Sequence, residues 1–222
     1  MQDAPFDIHN AVFIVDGSSF LYRAYYSMRP MHTSNGLAVQ AVYGYCRMLK
    51  KIIAKFNPSS MVIVWDSKGK TVRHELFQEY KATRQAAPQD LTEQKGLIQE
   101  FNKDIGLCQV ELPGAEADDL IFSLARDVSQ VHRNAVLITS DKDLGQAIEK
   151  QIVIYDPFKE VFVTQQALQE RYGFEVSKIP FYFSLVGDSS DNIPGVRGIG
   201  PKGAQELVKS FDSLEHLYAS LD

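Results

Sequence analysis

Ala11-Val12-Phe13-Ile14-Val15-Asp16-Gly17 is a run of five apolar residues, rich in β-branched side chains, halted by an acid and a glycine. An unbroken apolar run of that length reads as a strand buried on both faces. The figure recurs: Met61–Trp65 stops at Asp66, Ala135–Thr139 stops at Ser140-Asp141, and Ile152–Tyr155 stops at Asp156-Pro157. Amphipathic segments lie between these runs. Val39–Phe56 carries Val42, Tyr45, Cys46, Leu49, Ile52 and Ile53 on one stripe, and Ala117–Val131 carries Leu120, Ile121, Leu124 and Val128. Another helix is expected around Glu93–Ile105. Strands alternating with helices imply an α/β chain whose mostly parallel sheet is covered on both faces.

The 222 residues, 45% of them hydrophobic, suffice for one such core plus a small appended unit and exclude a disordered chain. No apolar run reaches the roughly 18 residues of a membrane-spanning helix. The start, Met1 to Asp7, lacks the basic-then-apolar order of a secretory signal, so a cytoplasmic location is expected. Cys46 and Cys108 lack metal-type spacing and read as two buried thiols rather than a disulfide. The five histidines have no ligand spacing, and no Ser–His nucleophile pair is visible. The texture changes after about residue 175. Gly187 to Gly200 is dense in turn formers, and a compact helix follows with Pro201 at its first position and Ala204, Leu207, Val208 and Phe211 on one face. The expected division is therefore a sheet domain over 1–175 and a small helical module over 176–222.

Three strands run into aspartates, Asp16, Asp66 and Asp141, and ligands of an open parallel sheet bind outside the carboxyl ends of its strands. Asp143 follows two residues after Asp141. Glu116, Asp118 and Asp119 open the helix before the third run, and Asp188 and Asp191 lie in the turn-rich segment. Taken singly, an Asp in such a place is a common turn residue or helix cap. Three strand ends that agree, and three acids where one cap needs one, favour a shared cleft. Crowded carboxylates stay ionised only beside cations, and oxygen-only ligands select hard ions, Mg²⁺ or Mn²⁺. Nine acids exceed the needs of one ion. Two ions about 3.5–4 Å apart suit in-line attack on a phosphodiester. The net charge of −5 argues against a polyanion partner only until these nine acids are set aside, since the balance of the remainder is positive.

Lys68, Lys70, Arg73, Lys81 and Arg84 make residues 68–84 basic, suited either to gripping phosphates over the cleft or to a solvated surface helix. A flexible loop is expected over 85–90. Gly195-Val-Arg-Gly-Ile-Gly-Pro-Lys-Gly203 places Gly195, Gly198, Gly200 and Lys202 at a turn before a helix N-terminus, where backbone N–H groups hold a phosphate without reading bases. Tyr22 and Arg23 follow Asp16 closely enough to stack on a terminal base and hold its phosphate. Phe20 and Tyr26 are expected in the core.

Val15-Asp-Gly-Ser-Ser-Phe-Leu-Tyr-Arg-Ala-Tyr25, Val64-Trp-Asp-Ser-Lys-Gly-Lys70, Arg73-His-Glu-Leu-Phe-Gln-Glu-Tyr-Lys81, Gly114-Ala-Glu-Ala-Asp-Asp119, Thr139-Ser-Asp-Lys-Asp-Leu144 and Gly187-Asp-Ser-Ser-Asp-Asn-Ile-Pro-Gly-Val196 follow in order. From about residue 11 to the C-terminus the set resembles the 5′–3′ exonuclease domain of bacterial DNA polymerase I, in the flap endonuclease family. The resemblance implies a PIN-like three-layer α/β/α domain with a helical arch and a helix–three-turn–helix DNA-binding module. By position, Asp16, Asp66, Glu116 and Asp118 match ligands of a first Mg²⁺ or Mn²⁺, and Asp119, Asp141, Asp143, Asp188 and Asp191 match those of a second. Arg73, Lys81 and Arg84 match arch residues at the scissile phosphate, and Tyr22 and Arg23 match neighbours of the terminal nucleotide. Gly195, Gly198, Gly200 and Lys202 match a hairpin that binds K⁺ beside a DNA phosphate.

Ala38-Val39 stand where such domains have Pro-Thr, and Pro201 and Gly203 where they have Glu and Thr. Relatives continue past the position of Asp222, so the module is expected to be truncated at its C-terminal end. The implied activity is metal-dependent hydrolysis of DNA at nicks, 5′ ends and 5′ flaps, by a monomer, with a linked or separate DNA polymerase as partner and no membrane. The rival readings are a PIN-type ribonuclease and a catalytically weak binder of branched DNA. A Rossmann nucleotide-binding enzyme is more distant, because no glycine fingerprint follows a strand.

Overall fold

The computed structural model describes residues 4–221, so Met1 to Asp3 of the N-terminal reading, and Asp222, lie outside the described residues. The elements run β1 (Val12–Asp16), α1 (Gly17–Ser27), α2 (Gln40–Phe56), β2 (Ser60–Val64), α3 (Val72–Leu76), α4 (Gln89–Asp104), β3 (Cys108–Val110), α5 (Ala117–Gln130), β4 (Ala135–Ile138), β5 (Ile152–Asp156), β6 (Val161–Val163), α6 (Gln165–Tyr172), α7 (Ile179–Val186), α8 (Pro201–Ser210) and α9 (Leu214–Tyr218). Six strands form one sheet in the order β3-β2-β1-β4-β5-β6. Every pairing is parallel except β5 with β6.

β1 is the hinge of this topology. Val12 stands in register with Ser60 of β2 on one side and with Ala135 of β4 on the other. The chain builds outward from β1 through β2 to β3, then crosses back to add β4 on β1's free side. The strand order therefore reverses at β1, and the crevice of a doubly wound sheet opens at the carboxyl ends of β1 and β4.

The alternation of side chains along each strand divides the core. Phe13, Val15, Ile63 and Trp65 pack with Phe20, Tyr45, Leu49, Ile52 and Ile98 of α1, α2 and α4. Ile14, Val64, Leu137 and Ile154 pack on the opposite face with Ile121 and Ala125 of α5 and with α7. Ala204 and Val208 of α8 belong to this second cluster, so the C-terminal helices share the core of the sheet. The Lys178 ammonium donates to the carbonyls of Val208 and Phe211 and closes the end of α8.

The structure corrects several expectations. β3 and β6 escape the periodicity because each is only three residues long. Cys108 is exposed, since it opens an edge strand; Cys46 is half-buried and both thiols are free. Ile53 is 37% exposed, because Ile52, one position round the helix, takes the place in the core. Tyr26 is 66% exposed, because it lies one helical turn beyond Tyr22 on the outer face of α1, away from Phe20, Leu21 and Ala24. Residues 68–84 are neither a long surface helix nor a helical arch. They contain only the five-residue α3 and a series of turns drawn down onto the sheet edge. α4 begins at Gln89, inside the segment expected to be a loop.

Candidate active site

A cavity of about 660 Å³ opens at the carboxyl ends of β1, β4 and β5. Seven of the nine expected acids line it: Asp16, Asp66, Asp118, Asp141, Asp143, Asp188 and Asp191. Glu116 and Asp119 face a second cavity of about 560 Å³, which shares Asp118, Asp143, Asp188 and Asp191 with the first.

The local fold explains how each acid is held. Asp16 ends β1 and caps α1, accepting from the Ser19 amide at 2.8 Å, while its other oxygen accepts from the Thr139 hydroxyl at 2.9 Å. Asp66 accepts at 2.8 Å from the amide of Ala117, the first residue of α5, so a carboxylate after β2 caps a helix fifty residues away. Its own amide donates to Ser18 Oγ. Asp141 receives the Asp143 amide at 2.8 Å, and its own amide donates to Thr139 Oγ1. The capping role and the cleft role coincide in the same side chains. The caps fix the carboxylates in place at the sheet edge.

Glu116, Asp119, Asp188 and Asp191 are paired with cations. Arg73 makes a two-pronged contact with Asp119, at 2.6 and 2.7 Å. Lys81 Nζ lies 2.8 Å from Glu116 Oε2 and 3.8 Å from Asp191 Oδ2. Arg84 pairs with Asp191, and Lys142 lies 3.1 Å from Asp188. The Tyr80 hydroxyl sits 2.9 Å from both Glu116 and Asp191, and the Thr71 hydroxyl donates to Glu116 at 3.0 Å.

These surroundings split the acids into two groups. Burial, aided by the charges of Asp66 and Asp141, raises Asp16 to about 7. Burial and the charges of Asp141, Asp16 and Asp66 raise Asp118 to about 8. Burial and Asp141 raise Asp143 to about 6. Burial alone would raise Glu116 and Asp188 too, but Lys81 and Lys142 respectively hold them below the ordinary carboxylate range. Arg73 does the same for Asp119.

Asp16, Asp118 and Asp143 each crowd against Asp141, with Lys81 only partly offsetting Asp118 and Lys142 only partly offsetting Asp143, and Asp143 Oδ1 is buried with no hydrogen-bond partner. Among the described residues no three His, Cys, Asp or Glu side chains stand close enough to clasp an ion as they are. The acids line a cleft, and the cations of residues 73–84 lean into it. The chemistry of this donor set, oxygen ligands whose mutual repulsion only a cation relieves, fits hard divalent ions.

Tyr22 lines the cavity and is 44% exposed. Arg23 is exposed and turns away, its guanidinium 4.3 Å above the Phe158 ring. Gly195, Gly198, Gly200 and Lys202 do not line this cleft; they lie in the turn leading into α8, whose N-cap is Gly200. Sequence reasoning missed Thr139, Tyr80, Thr71 and Lys142, which orient the acids. It also passed over Asp156, buried on the cavity wall, whose Oδ1 accepts from the amides of Phe158 and Lys159. Asp156 carries the same signal as Asp16, an acid ending an apolar run. The hydroxyls carry no signal, because a Ser or Thr near a strand end is commonplace.

Comparison with known proteins gives two family matches along the chain. Residues 11–173 match the model of the 5′–3′ exonuclease N-terminal resolvase-like domain, and residues 174–222 match that of the 5′–3′ exonuclease C-terminal SAM fold. The chain is 39% identical over 206 residues to the 5′–3′ exonuclease of Aquifex aeolicus, covering 93% of this chain and 71% of that protein. It is 39% identical over 217 residues to the thermostable DNA polymerase I of Thermus thermophilus, of which it spans only 26% while 98% of this chain is covered. The fold is that of the bacteriophage T5 flap endonuclease solved as a pseudo-enzyme–product complex with DNA and metal ions. The TM-score is 0.74 at 20% identity, over 95% of this chain and 79% of that one. Matched in order along both of its regions, the chain belongs to the 5′–3′ exonuclease family.

Proposed function

We propose that this chain is a divalent-metal-dependent 5′–3′ exodeoxyribonuclease and 5′-flap endonuclease. The observation that carries the reading is the meeting of Asp16, Asp66, Asp118 and Asp141, from four separate elements, at the point where the strand order reverses. In this reading Asp16, Asp66 and Asp118 hold one ion, and Asp141, Asp143, Asp188 and Asp191 hold another. Glu116 and Asp119 join once Lys81 and Arg73 release them. Mg²⁺ or Mn²⁺ supplies an activated water at neutral pH and offsets charge at the phosphate.

The other groups act on the DNA. Arg73, Lys81 and Arg84 already present cations at the cleft, and a phosphodiester offers them the same two-oxygen geometry as the carboxylates they now contact. Tyr22 gives the terminal base a stacking surface at the cavity wall. Gly195, Gly198, Gly200 and Lys202 hold duplex phosphate away from the cleft, with K⁺ at the hairpin. Residues 1–175 would then cut and residues 176–222 would grip, a division supported by the family boundaries near 173.

We place the protein in the cytoplasm as a monomer working beside a linked or separate DNA polymerase. No helix among the described residues is long and apolar enough to cross a membrane. A labelled 5′-flap substrate tests the activity. Cleavage in Mg²⁺ that stops with EDTA, and stops with Asp141→Ala plus Asp143→Ala, is expected. Cleavage surviving either change would overturn the reading, and preference for an RNA flap would replace it with a ribonuclease.

A further inference from the structure

α1 carries an exposed aromatic pair of which only the first ring reaches the cleft. Tyr22 and Tyr26 lie one helical turn apart and are 44% and 66% exposed. Their planes lie within 22° of one another, with centroids 6.4 Å apart. That is about twice the ~3.4 Å stacking rise of a nucleic-acid strand, so the two rings match two stacking steps with one base between them. Tyr26 is exposed yet buttressed. The Tyr25 ring meets it edge-on at 5.0 Å and 82°, and the Tyr25 hydroxyl donates to Asp90 at 2.8 Å, anchoring that ring to α4. Arg29, exposed and three residues further on, adds positive charge at the outer end. An isolated exposed tyrosine needs no explanation. A fixed one aligned with a ring on the cavity wall does.

We propose that Tyr22 and Tyr26 form a two-ring stacking track along α1 for the unpaired bases of a DNA 5′ end, with Tyr26 as a binding residue outside the cavity. The proposal rests on the 5′-nuclease reading for the origin of the strand. Aromatic faces stack on any base, so the track holds the strand without selecting its sequence.

The test is steady-state cleavage by the full chain of two 5′-flap substrates, one with ordinary bases and one with abasic residues in the flap. The variants are Tyr26→Leu and Tyr26→Phe. Tyr26→Leu is expected to raise KM for the ordinary flap by about fivefold to a hundredfold with kcat nearly unchanged, while Tyr26→Phe retains the wild-type KM. Removing the bases should cost the wild type more than this, and cost Tyr26→Leu less than the wild type by about the same fivefold to hundredfold factor, since Tyr22 still stacks. Equal losses on both substrates, or no loss with Tyr26→Leu, would overturn the track while leaving the nuclease reading standing. If the wild type cuts no flap, the nuclease reading fails by itself. The track is then read from fluorescence anisotropy of labelled oligo-dT against its abasic counterpart. A preference for bases that Tyr26→Leu reduces supports it, and no preference, or one that Tyr26→Leu leaves unchanged, overturns it.

Discussion

Lys81 holds a left-handed backbone, with φ of 54°, that costs a non-glycine residue roughly 1–2 kcal/mol. What maintains it is contact at both ends of the residue. Its amide donates to the Asp191 carbonyl at 2.9 Å, and its ammonium meets the nearly buried Glu116 carboxylate. Strain held by functional contacts can be separated by substitution. Lys81→Gly is expected to be about 1 kcal/mol more stable than Lys81→Ala in urea denaturation, with both variants losing most cleavage. Relative to wild type, Lys81→Ala should cost about 1–3 kcal/mol. That is below the usual cost of orphaning a buried charge, because Thr71, Tyr80 and Arg73 still face Glu116. Asp143 behaves in the opposite way. Its charge is crowded and one oxygen has no partner, so Asp141→Ala with Asp143→Ala should raise stability without metal while lowering cleavage by about a thousandfold or more, ~4 kcal/mol of barrier.

At the scale of elements, the turn after α7 carries Asp188 and Asp191 to the cleft and depends on two glycines pressed together. A Cβ on Gly187 would lie 2.3 Å from the Gly195 nitrogen, and one on Gly195 would lie 2.2 Å from the Val186 carbonyl oxygen. Neither neighbour is a flexible side chain. Gly195→Ala is therefore expected to destabilise the fold by more than about 2 kcal/mol in chemical denaturation and to weaken cleavage with it. Gly200→Ala meets nothing within 4 Å and should be tolerated by the fold, so any loss it causes belongs to DNA binding. The sequence marked this segment as turn-rich and expected its acids at the cleft, but close backbone packing between residues 187 and 195 has no local signature. The four longer strands were legible for the converse reason, since continuous apolar runs are buried in whole or in part. β3 and β6, three residues each at the two sheet edges, were not.

Over the whole molecule, the acids that cap and the acids that repel set a dependence on pH and metal. Asp16 and Asp118 ionise near their ordinary value of 3.8 when unfolded but at about 7 and about 8 in the metal-free fold. Between those limits the folded state binds more protons than the unfolded state, so stability falls as pH rises from about 4 to about 8. In EDTA the melting temperature should drop across that window. Mg²⁺ should recover it most at the alkaline end, where the carboxylates are free to bind. A melting temperature flat in both pH and Mg²⁺ would contradict this.

The membership of the acidic set was legible because strand ends and helix starts declare themselves in the chain. The pairing of those acids was not: Lys81 with Glu116, Arg84 with Asp191 and Tyr80 with Asp191 join residues 35 to 111 positions apart. Only the folded edge shows that the segment expected to arch over the cleft is drawn down into it. The most direct measurement of that edge is anomalous scattering from crystals of the wild-type chain grown with Mn²⁺. Two manganese peaks are expected in the cleft, one against Asp16, Asp66 and Asp118 and one against Asp141 and Asp143. Peaks elsewhere on the surface, or none among these carboxylates at saturating Mn²⁺, would contradict the paired-ion site.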